Sequence, residues 1–248
     1  MPTPFYHLNL AQEVMAKIRF DSNAAAIIQD NPAEFLFGNI AADVQVVSGQ
    51  ARAETHFFDL PLRQNILEPW LLLWQSYPQL NPPLIPNSAH KAFILGYACH
   101  LLADWEWIKQ IFVPVFGLKR TWGTFQERLI WHNVLRAQLD QEVVSTLNPQ
   151  IGANLAKAQP HQWLPFVQDA HLIQWRDQIV RQLLPGEKIE TIEIFASRQH
   201  ISAEEFKRYL SSPVEIEKTV YSRLPKIRLS LFRRELVENL LAFLDQIC

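Results

Sequence analysis

Apolar residues recur at helical spacing along most of the chain, and long stretches lack the alternating pattern of strands. An amphipathic pattern predicts a helix over residues 7–20. The run Asp30-Asn-Pro predicts a turn followed by a helix start, because proline is tolerated in the first helical turn. From Asp43 to Leu67 the periodicity fades, which predicts a loop. A short aromatic helix is predicted over Trp70 to Tyr77.

Prolines set further boundaries in the middle of the chain. Four prolines between Pro78 and Pro86 favour an extended connector. A long apolar helix is predicted over about Ser88 to Phe112. It should end before Pro114, since proline lacks the N–H that a helix interior needs. Another helix is predicted over about Thr124 to Leu147.

The last hundred residues read as a helical scaffold. Residues 150–248 predict about four more helices, and Ser202-Ala-Glu-Glu205 has the form of a capping box. The sequence therefore predicts an all-α fold, a multi-helix bundle with a helical C-terminal extension. Residues 1–148 would form the core, and residues 149–248 would pack on it.

Composition narrows the class of protein. The 248 residues are 48% hydrophobic, which fits a globular protein, and the net charge of −2 gives no basic face for duplex nucleic acid. The chain start lacks the features of a signal peptide, and no apolar run approaches the ~20 residues that a transmembrane helix needs. We therefore expect a cytoplasmic protein. Cys99 and Cys248 are expected to be reduced, and neither has the spacing of a structural zinc site.

The most informative chemistry is the pair His100 and Asp104 inside the apolar run Ala92 to Ile108. Residues at i and i+4 share a helix face, so both side chains would point into the interior. An unpaired buried carboxylate costs several kcal/mol, and a divalent cation is one of the few partners that removes this cost for both groups. The pair therefore predicts a metal site.

Three other groups have suitable ligand chemistry: His7 in the first helix, Asp43 where a helix gives way to the loop, and His56 among aromatic residues. Such a mixture of nitrogen and carboxylate donors suits zinc, with iron or manganese possible.

Each of these residues could also have a purely structural role, without binding a metal ion. His100 could be a core histidine satisfied by a backbone carbonyl, and Asp104 could pair with Lys109. For His132, the alternative is a polar network in which Arg136, on the same helix face, pairs with Asp140 or Glu127.

The ordered combination of motifs resembles a known family. Phe35-Leu-Phe-Gly-Asn-Ile-Ala-Ala-Asp43, then Glu54-Thr-His56-Phe-Phe, then His100-Leu-Leu-Ala-Asp104-Trp is similar to the zinc-dependent phospholipase C family. Members of this family are all-helical and distantly related to fungal single-strand nucleases. The resemblance covers roughly residues 1–140.

The resemblance implies a ligand set. Asp43, His56, His100 and Asp104 would hold one metal ion, and Asp104 would bridge to a second ion held also by His7. The family's third metal needs a histidine soon after the His-x-x-x-Asp motif and a later His-x-x-x-Glu pair. This chain instead has Gln110, and His132 is followed at i+4 by Arg136. His132 and Glu106 are then candidates to complete a rearranged second site, and one to two zinc ions are expected.

The resulting function hypothesis is a metal-dependent hydrolase of a phosphoric ester, a phospholipase C-like phosphodiesterase acting on a small phosphoester or a phospholipid head group. Asp43 and Asp104 would be its catalytic carboxylates. Glu54 is an alternative proton acceptor, and Arg52 and Arg136 would bind phosphoryl charge. One alternative is a metal-binding helical module with a degenerate site and little or no hydrolysis. Another is a helical scaffold without metal.

Overall fold

A computed structural model describes residues 1–62 and 66–248, and within these residues it contains helices and no strand. The predicted all-α class is therefore confirmed. The α-helices are α1 (Pro4–Lys17), α2 (Asn23–Asp30), α3 (Pro32–Ala41), α4 (Gln45–Ser48), α5 (Arg52–His56), α6 (Pro69–Ser76), α7 (Ser88–Trp107), α8 (Phe125–Val144), α9 (Ile151–Leu155), α10 (Asp169–Gln182), α11 (Thr191–Arg198), α12 (Ala203–Leu210), α13 (Pro213–Ile216) and α14 (Lys226–Ile247). Short 3₁₀ turns cover Ala42–Val44, Pro78–Leu80 and Pro82–Leu84, and π-helical segments cover Ile108–Phe116 and Glu217–Tyr221.

Local sequence explains where the principal helices begin. Thr3 caps α1 by accepting a hydrogen bond from the backbone N–H of Tyr6, and Asn87 caps α7 in the same way. Thr124 and Glu127 form a reciprocal capping box at the start of α8. At Ser202 only half of the predicted box is present, since the serine hydroxyl accepts from Glu205 N–H. These caps satisfy backbone donors that have no partner within the first turn.

Three predictions of local structure were wrong. The expected loop after Asp43 contains α4 and α5, and part of the predicted loop, residues 63–65, lies outside the described residues. The helix of His100 does not end before Pro114, because helical turns continue to Phe116. Proline is tolerated there because the segment is π-helical, in which the backbone bonding of an α-helix is already rearranged. The proline-rich connector likewise folds into two 3₁₀ turns.

Helix α7 lies at the centre of the molecule. All residues from Ala92 to Trp105 are buried, so this part of the helix has no solvent face. It packs against α3 through two glycines. A Cβ atom added to Gly96 would lie 2.2 Å from the Phe35 carbonyl oxygen, and one added to Gly38 would lie 2.0 Å from the Phe93 carbonyl oxygen. The backbones of α3 and α7 therefore touch, which brings the end of α3 beside His100.

The C-terminal residues pack on this centre. The apolar core is continuous from Phe5 to Leu244, with α14 in contact with α1 and α7. Trp175 of α10 donates an indole hydrogen bond to the Ile40 carbonyl oxygen, 2.8 Å away. A division of the chain at residue 148 stays a prediction. None of the helices in the described ranges has the length and apolar character needed to cross a bilayer.

Candidate metal centre

Five of the six predicted ligands come together from four elements. His7 comes from α1, Asp43 from the 3₁₀ turn after α3, His56 from the end of α5, and His100 and Asp104 from α7. They form two groups that share His100, namely His7, His100 and Asp104, and Asp43, His56 and His100. In each group the potential ligand atoms lie within 4.8 Å of one another.

Four acceptor atoms converge in the centre of this cluster. His56 Nε2 lies 3.2 Å from His100 Nε2. It also lies 3.5 Å from both Asp43 Oδ1 and Asp104 Oδ2. His100 Nε2 lies 3.7 Å from Asp104 Oδ2. Two nitrogens and two carboxylate oxygens thus face a common point, which is the donor set that tetrahedral zinc accepts.

The other nitrogen of each of these imidazoles is already bonded. His100 Nδ1 lies 2.8 Å from the Asn39 carbonyl oxygen, which can only accept, so His100 carries its proton on Nδ1. His56 Nδ1 lies 2.9 Å from Thr55 Oγ1, whose hydroxyl donates to Gln45 Oε1 at 3.2 Å. Both histidines therefore turn an Nε2 lone pair toward the same point, an arrangement that metal-ligating histidines commonly show.

Burial keeps these imidazoles neutral. His56 and His100 have no exposed surface. Burial, together with the neighbouring His7, lowers the pKa of His100 to about 3. Burial and the positive charge of Arg52 also lower the pKa of His56. Both rings therefore present unprotonated nitrogens, the form that binds a metal ion.

His7 is held differently from the other two histidines. Its ring stacks on that of His100 with centroids 3.9 Å apart and an interplanar angle of 17°. Its Nε2 lies 3.3 Å from Asp104 Oδ1. Nevertheless, His7 Nδ1 and Nε2 and Asp104 Oδ1 are buried without a hydrogen-bond partner among the described residues. Buried polar atoms are normally paired, so these orphaned atoms and the facing Nε2 lone pairs fit a cation-binding centre.

An arginine lies against both carboxylates. Arg52, at the start of α5, donates from Nη2 to Asp104 Oδ2, and its Nη1 lies 3.9 Å from Asp43 Oδ1. Burial alone would raise the pKa of Asp104, but Arg52 and the imidazoles of His100 and His7 together hold it well below its ordinary value. Asp104 is therefore a carboxylate in the folded protein.

The structure gives His132 other neighbours. Its Nε2 accepts the indole N–H of Trp107 at 2.9 Å, and its ring packs against Phe112 and Phe116. His132 belongs to neither of the two groups of potential ligands found among the described residues. Glu106 instead accepts a hydrogen bond from Gln110, 2.7 Å away.

A small cavity of about 50 Å³ reaches Asp43 from the side of α8 and α11. Its lining includes Thr3, Asp43, Arg136, Phe195 and Arg198. Arg136 stacks over the Phe195 ring at 4.4 Å and donates from Nη1 to Asn133 Oδ1 at 3.0 Å. Burial and the positive charge of Arg198 lower the pKa of Arg136 to about 10, which leaves it charged at neutral pH. The proposed pairing of Arg136 with Asp140 or Glu127 was wrong: Asp140 accepts from Thr3 and Thr191, and Glu127 caps α8.

Sequence reasoning missed the residues that orient the histidines. Asn39 acts through its backbone carbonyl, which no side-chain pattern reveals. Thr55 immediately precedes His56 in the sequence, and α5 ends directly after it, where Phe57 adopts a left-handed φ of 62°. A non-glycine residue in that region is a local signal of functional constraint, but it is visible only in the structure.

Comparison with known proteins agrees with this geometry. Residues 6–107, less than half of the chain, match the family model described as zinc dependent phospholipase C. No curated protein and no solved structure matched the chain. The matched segment contains all five converging side chains and excludes His132. The resemblance to the zinc-dependent phospholipase C family is thereby confirmed for residues 6–107.

Proposed function

We propose that the chain is a zinc-dependent hydrolase of phosphoric esters, with Asp43, His56, His100 and Asp104 as ligands of its zinc ion. The observation that carries the proposal is the 3.2 Å approach of two neutral imidazole nitrogens, His56 Nε2 and His100 Nε2. Both rings have their Nδ1 bonded elsewhere, so the facing lone pairs repel unless a cation lies between them. One carboxylate oxygen from Asp43 and one from Asp104 complete the set of four proposed ligand atoms.

The two carboxylates have different surroundings and, we propose, different roles. Zinc, when bound, supplies a Lewis acid that polarises a phosphoryl oxygen and lowers the pKa of a water molecule toward 7. The Asp43 side chain is 15% exposed and lines the cavity, so it can accept a proton from a water molecule there. The Asp104 side chain is only 1% exposed, and its Oδ1 lies near His7 whereas its Oδ2 lies near His56. Asp104 is thus suited to bridge two binding positions.

Positive side chains near Asp43 suit an anionic substrate. Arg136 and Arg198 line the cavity, and the guanidinium of Arg52 lies between the two carboxylates. Guanidinium groups bind phosphoryl oxygens bidentately. A small phosphoester or a phospholipid head group would carry such oxygens.

We propose one ion at the Asp43, His56 and His100 group and room for a weaker second ion at His7 and Asp104 Oδ1. A third ion is not proposed. At the positions where the family pattern has ligands, this chain has Gln110 and the positively charged Arg136, and His132 is bonded to Trp107.

The test combines metal analysis with turnover. Elemental analysis of the purified protein should give one to two zinc ions per chain, and the protein should hydrolyse bis(4-nitrophenyl) phosphate. The variant Asp104→Asn should lose both properties, because it removes the charged ligand that we propose for the first ion and for the link to the second. Asp59→Asn, an exposed carboxylate close in sequence, is the matched control and should retain both.

Zinc binding without turnover in the wild-type protein would favour the metal-binding module instead. The observation that favours this alternative is the hydrogen bond from the Trp107 indole to His132 Nε2. If chelator treatment changes neither melting temperature nor any activity, the scaffold without metal is the better description, because an ion bound to the folded state must stabilise it.

A further inference from the structure

The guanidinium of Arg52 lies inside the candidate metal centre, beside its two carboxylates. It begins α5, the short helix that ends at His56, and its guanidinium extends toward α7. Its side chain is 25% exposed and packs over the Phe58 ring, with the guanidinium carbon 5.3 Å from the ring centroid. Its Nε is buried without a partner in the described part of the chain. The side chain is thus partly enclosed and aimed at the carboxylates.

The oxygens that Arg52 contacts are the same oxygens that face the imidazoles. Its Nη2 bonds Asp104 Oδ2, and its Nη1 lies 3.9 Å from Asp43 Oδ1. Those two atoms each lie 3.5 Å from His56 Nε2. An ion at the centre and the guanidinium would therefore share both carboxylate oxygens.

The charges make this sharing a competition. Two carboxylates carry two negative charges, and Arg52 returns one positive charge. A divalent ion then brings the cluster to a net positive charge, whereas without Arg52 the same ion would bring it to neutrality. Unit charges a few ångströms apart interact strongly in a partly buried site.

We propose that Arg52 is an internal counter-cation of the centre. In the ion-free protein it neutralises Asp104 and Asp43, and it competes with a metal ion for their oxygens. This inference rests on the proposed function, since it needs an ion to compete with. It assigns Arg52 a competing role that weakens metal binding while it stabilises the ion-free fold.

A role of Arg52 in orienting the ligands predicts a change in zinc affinity of the opposite sign. If Arg52 only oriented the carboxylate ligands, its removal would weaken metal binding, as loss of an orienting residue around a metal site does by about 10–100-fold. If it competes, its removal strengthens binding. The direction of the change therefore separates the two roles without an activity measurement.

The experiment measures zinc affinity by competition with a chromophoric chelator, starting from zinc-loaded protein. This design requires no folded ion-free variant. Arg52→Gln should bind zinc at least about tenfold more tightly than the wild-type protein, because the competing charge is gone. Arg52→Lys keeps the charge and should stay within about threefold of wild type. The matched control is Arg19→Gln, because Arg19 is exposed and paired with Asp21 away from the centre.

A second measurement follows the ion-free state. After chelation, Arg52→Gln should melt at a lower temperature than wild type, since Asp104 remains buried without its cation. Unchanged or weaker zinc binding by Arg52→Gln would overturn the inference, as would an equal gain in Arg52→Lys. If the wild-type protein binds no zinc, the proposed function fails and the inference fails with it. If wild type and variants bind zinc equally, only the inference fails.

Discussion

The two groups of potential ligands share His100 but differ in how their other histidine is held. His56 has its Nδ1 bonded to Thr55, and its Nε2 points into the centre. His7 is stacked on His100, yet neither of its nitrogens has a hydrogen-bond partner among the described residues. The histidine particular to the first group, His56, is preorganised by a hydrogen bond outside the ligand set, whereas the one particular to the second group, His7, is held by packing. The difference indicates that the first group should bind an ion more tightly.

The largest expected effect comes from replacing each of these two histidines, His56 and His7, in a separate variant. His56→Gln should remove the tightly bound zinc ion, with a loss of affinity of more than about 100-fold, because it deletes a ligand rather than an orienting residue. His7→Gln should retain that ion and lose only the weaker one. Isothermal titration of zinc into protein that a chelator has freed of metal measures the affinity of both ions. His161→Gln, at an exposed position, is the control. Equal losses in the two variants would contradict the difference between the groups.

A smaller effect on the free energy of unfolding is expected from Asp140, whose carboxylate is bonded to the residue that caps α1, the helix of His7. Thr3, which caps α1, donates to Asp140, and Thr191 donates to the same carboxylate at 2.6 Å. Burial raises the pKa of Asp140 to about 6, although Thr191, Thr3, Arg136 and His7 all act to lower it. The folded protein therefore holds this proton more tightly than the unfolded chain does. That contribution is complete below about pH 4 and is lost as the pH rises through 6.

The free energy of unfolding of chelated protein, measured by urea titration between pH 4 and 7.5, checks this expectation. The wild-type protein should lose on the order of 2 kcal/mol across this range relative to Asp140→Asn, which has no proton to release. Asp59→Asn should follow the wild-type curve. If the curves of wild type and Asp140→Asn are parallel, Asp140 is already ionised at pH 4 and does not couple the α1 cap to pH.

The smallest effect tests the outer hydrogen bond of the first group. Thr55→Val keeps the shape of the side chain but removes the acceptor for His56 Nδ1. Zinc affinity should fall by about tenfold, the lower end for such residues, because the ring stays packed in the core. Chelator competition measures the change, and Thr121→Val, an exposed threonine, is the control. An unchanged affinity would show that packing alone orients His56, as it does His7.

Much of the fold followed from the sequence because its signals are local. The helix start at Pro32 follows from proline, the start of α8 was expected at about Thr124, and the central helix follows from its apolar run. The convergence of His7, Asp43, His56, His100 and Asp104 was expected through the family motifs; their role as ligands stays a prediction. The π-helical continuation past Pro114 was not predictable, since the proline rule describes α-helices and this segment departs from that geometry.

Non-local contacts were the other gap. The sequence marked Arg52 as a candidate for phosphoryl charge, but nothing in it indicated that the guanidinium bonds Asp104, more than fifty positions away. The bond from Trp107 to His132 is likewise invisible, although it decides which nitrogen of His132 is available. Such contacts depend on helix crossing angles, which a one-dimensional pattern does not encode.

The close approach of α3 and α7 at Gly38 and Gly96 also bears on how this centre tolerates mutation. Because the backbones of α3 and α7 touch, the group that orients His100 is the main-chain carbonyl of Asn39. A substitution at residue 39 changes the side chain and leaves that carbonyl in place. The orientation of His100 thus depends less on the identity of a small side chain at position 39 than on the two glycines that let the helices approach. A single methyl group at position 38 or 96 would push the helices apart and move the acceptor away from the ring.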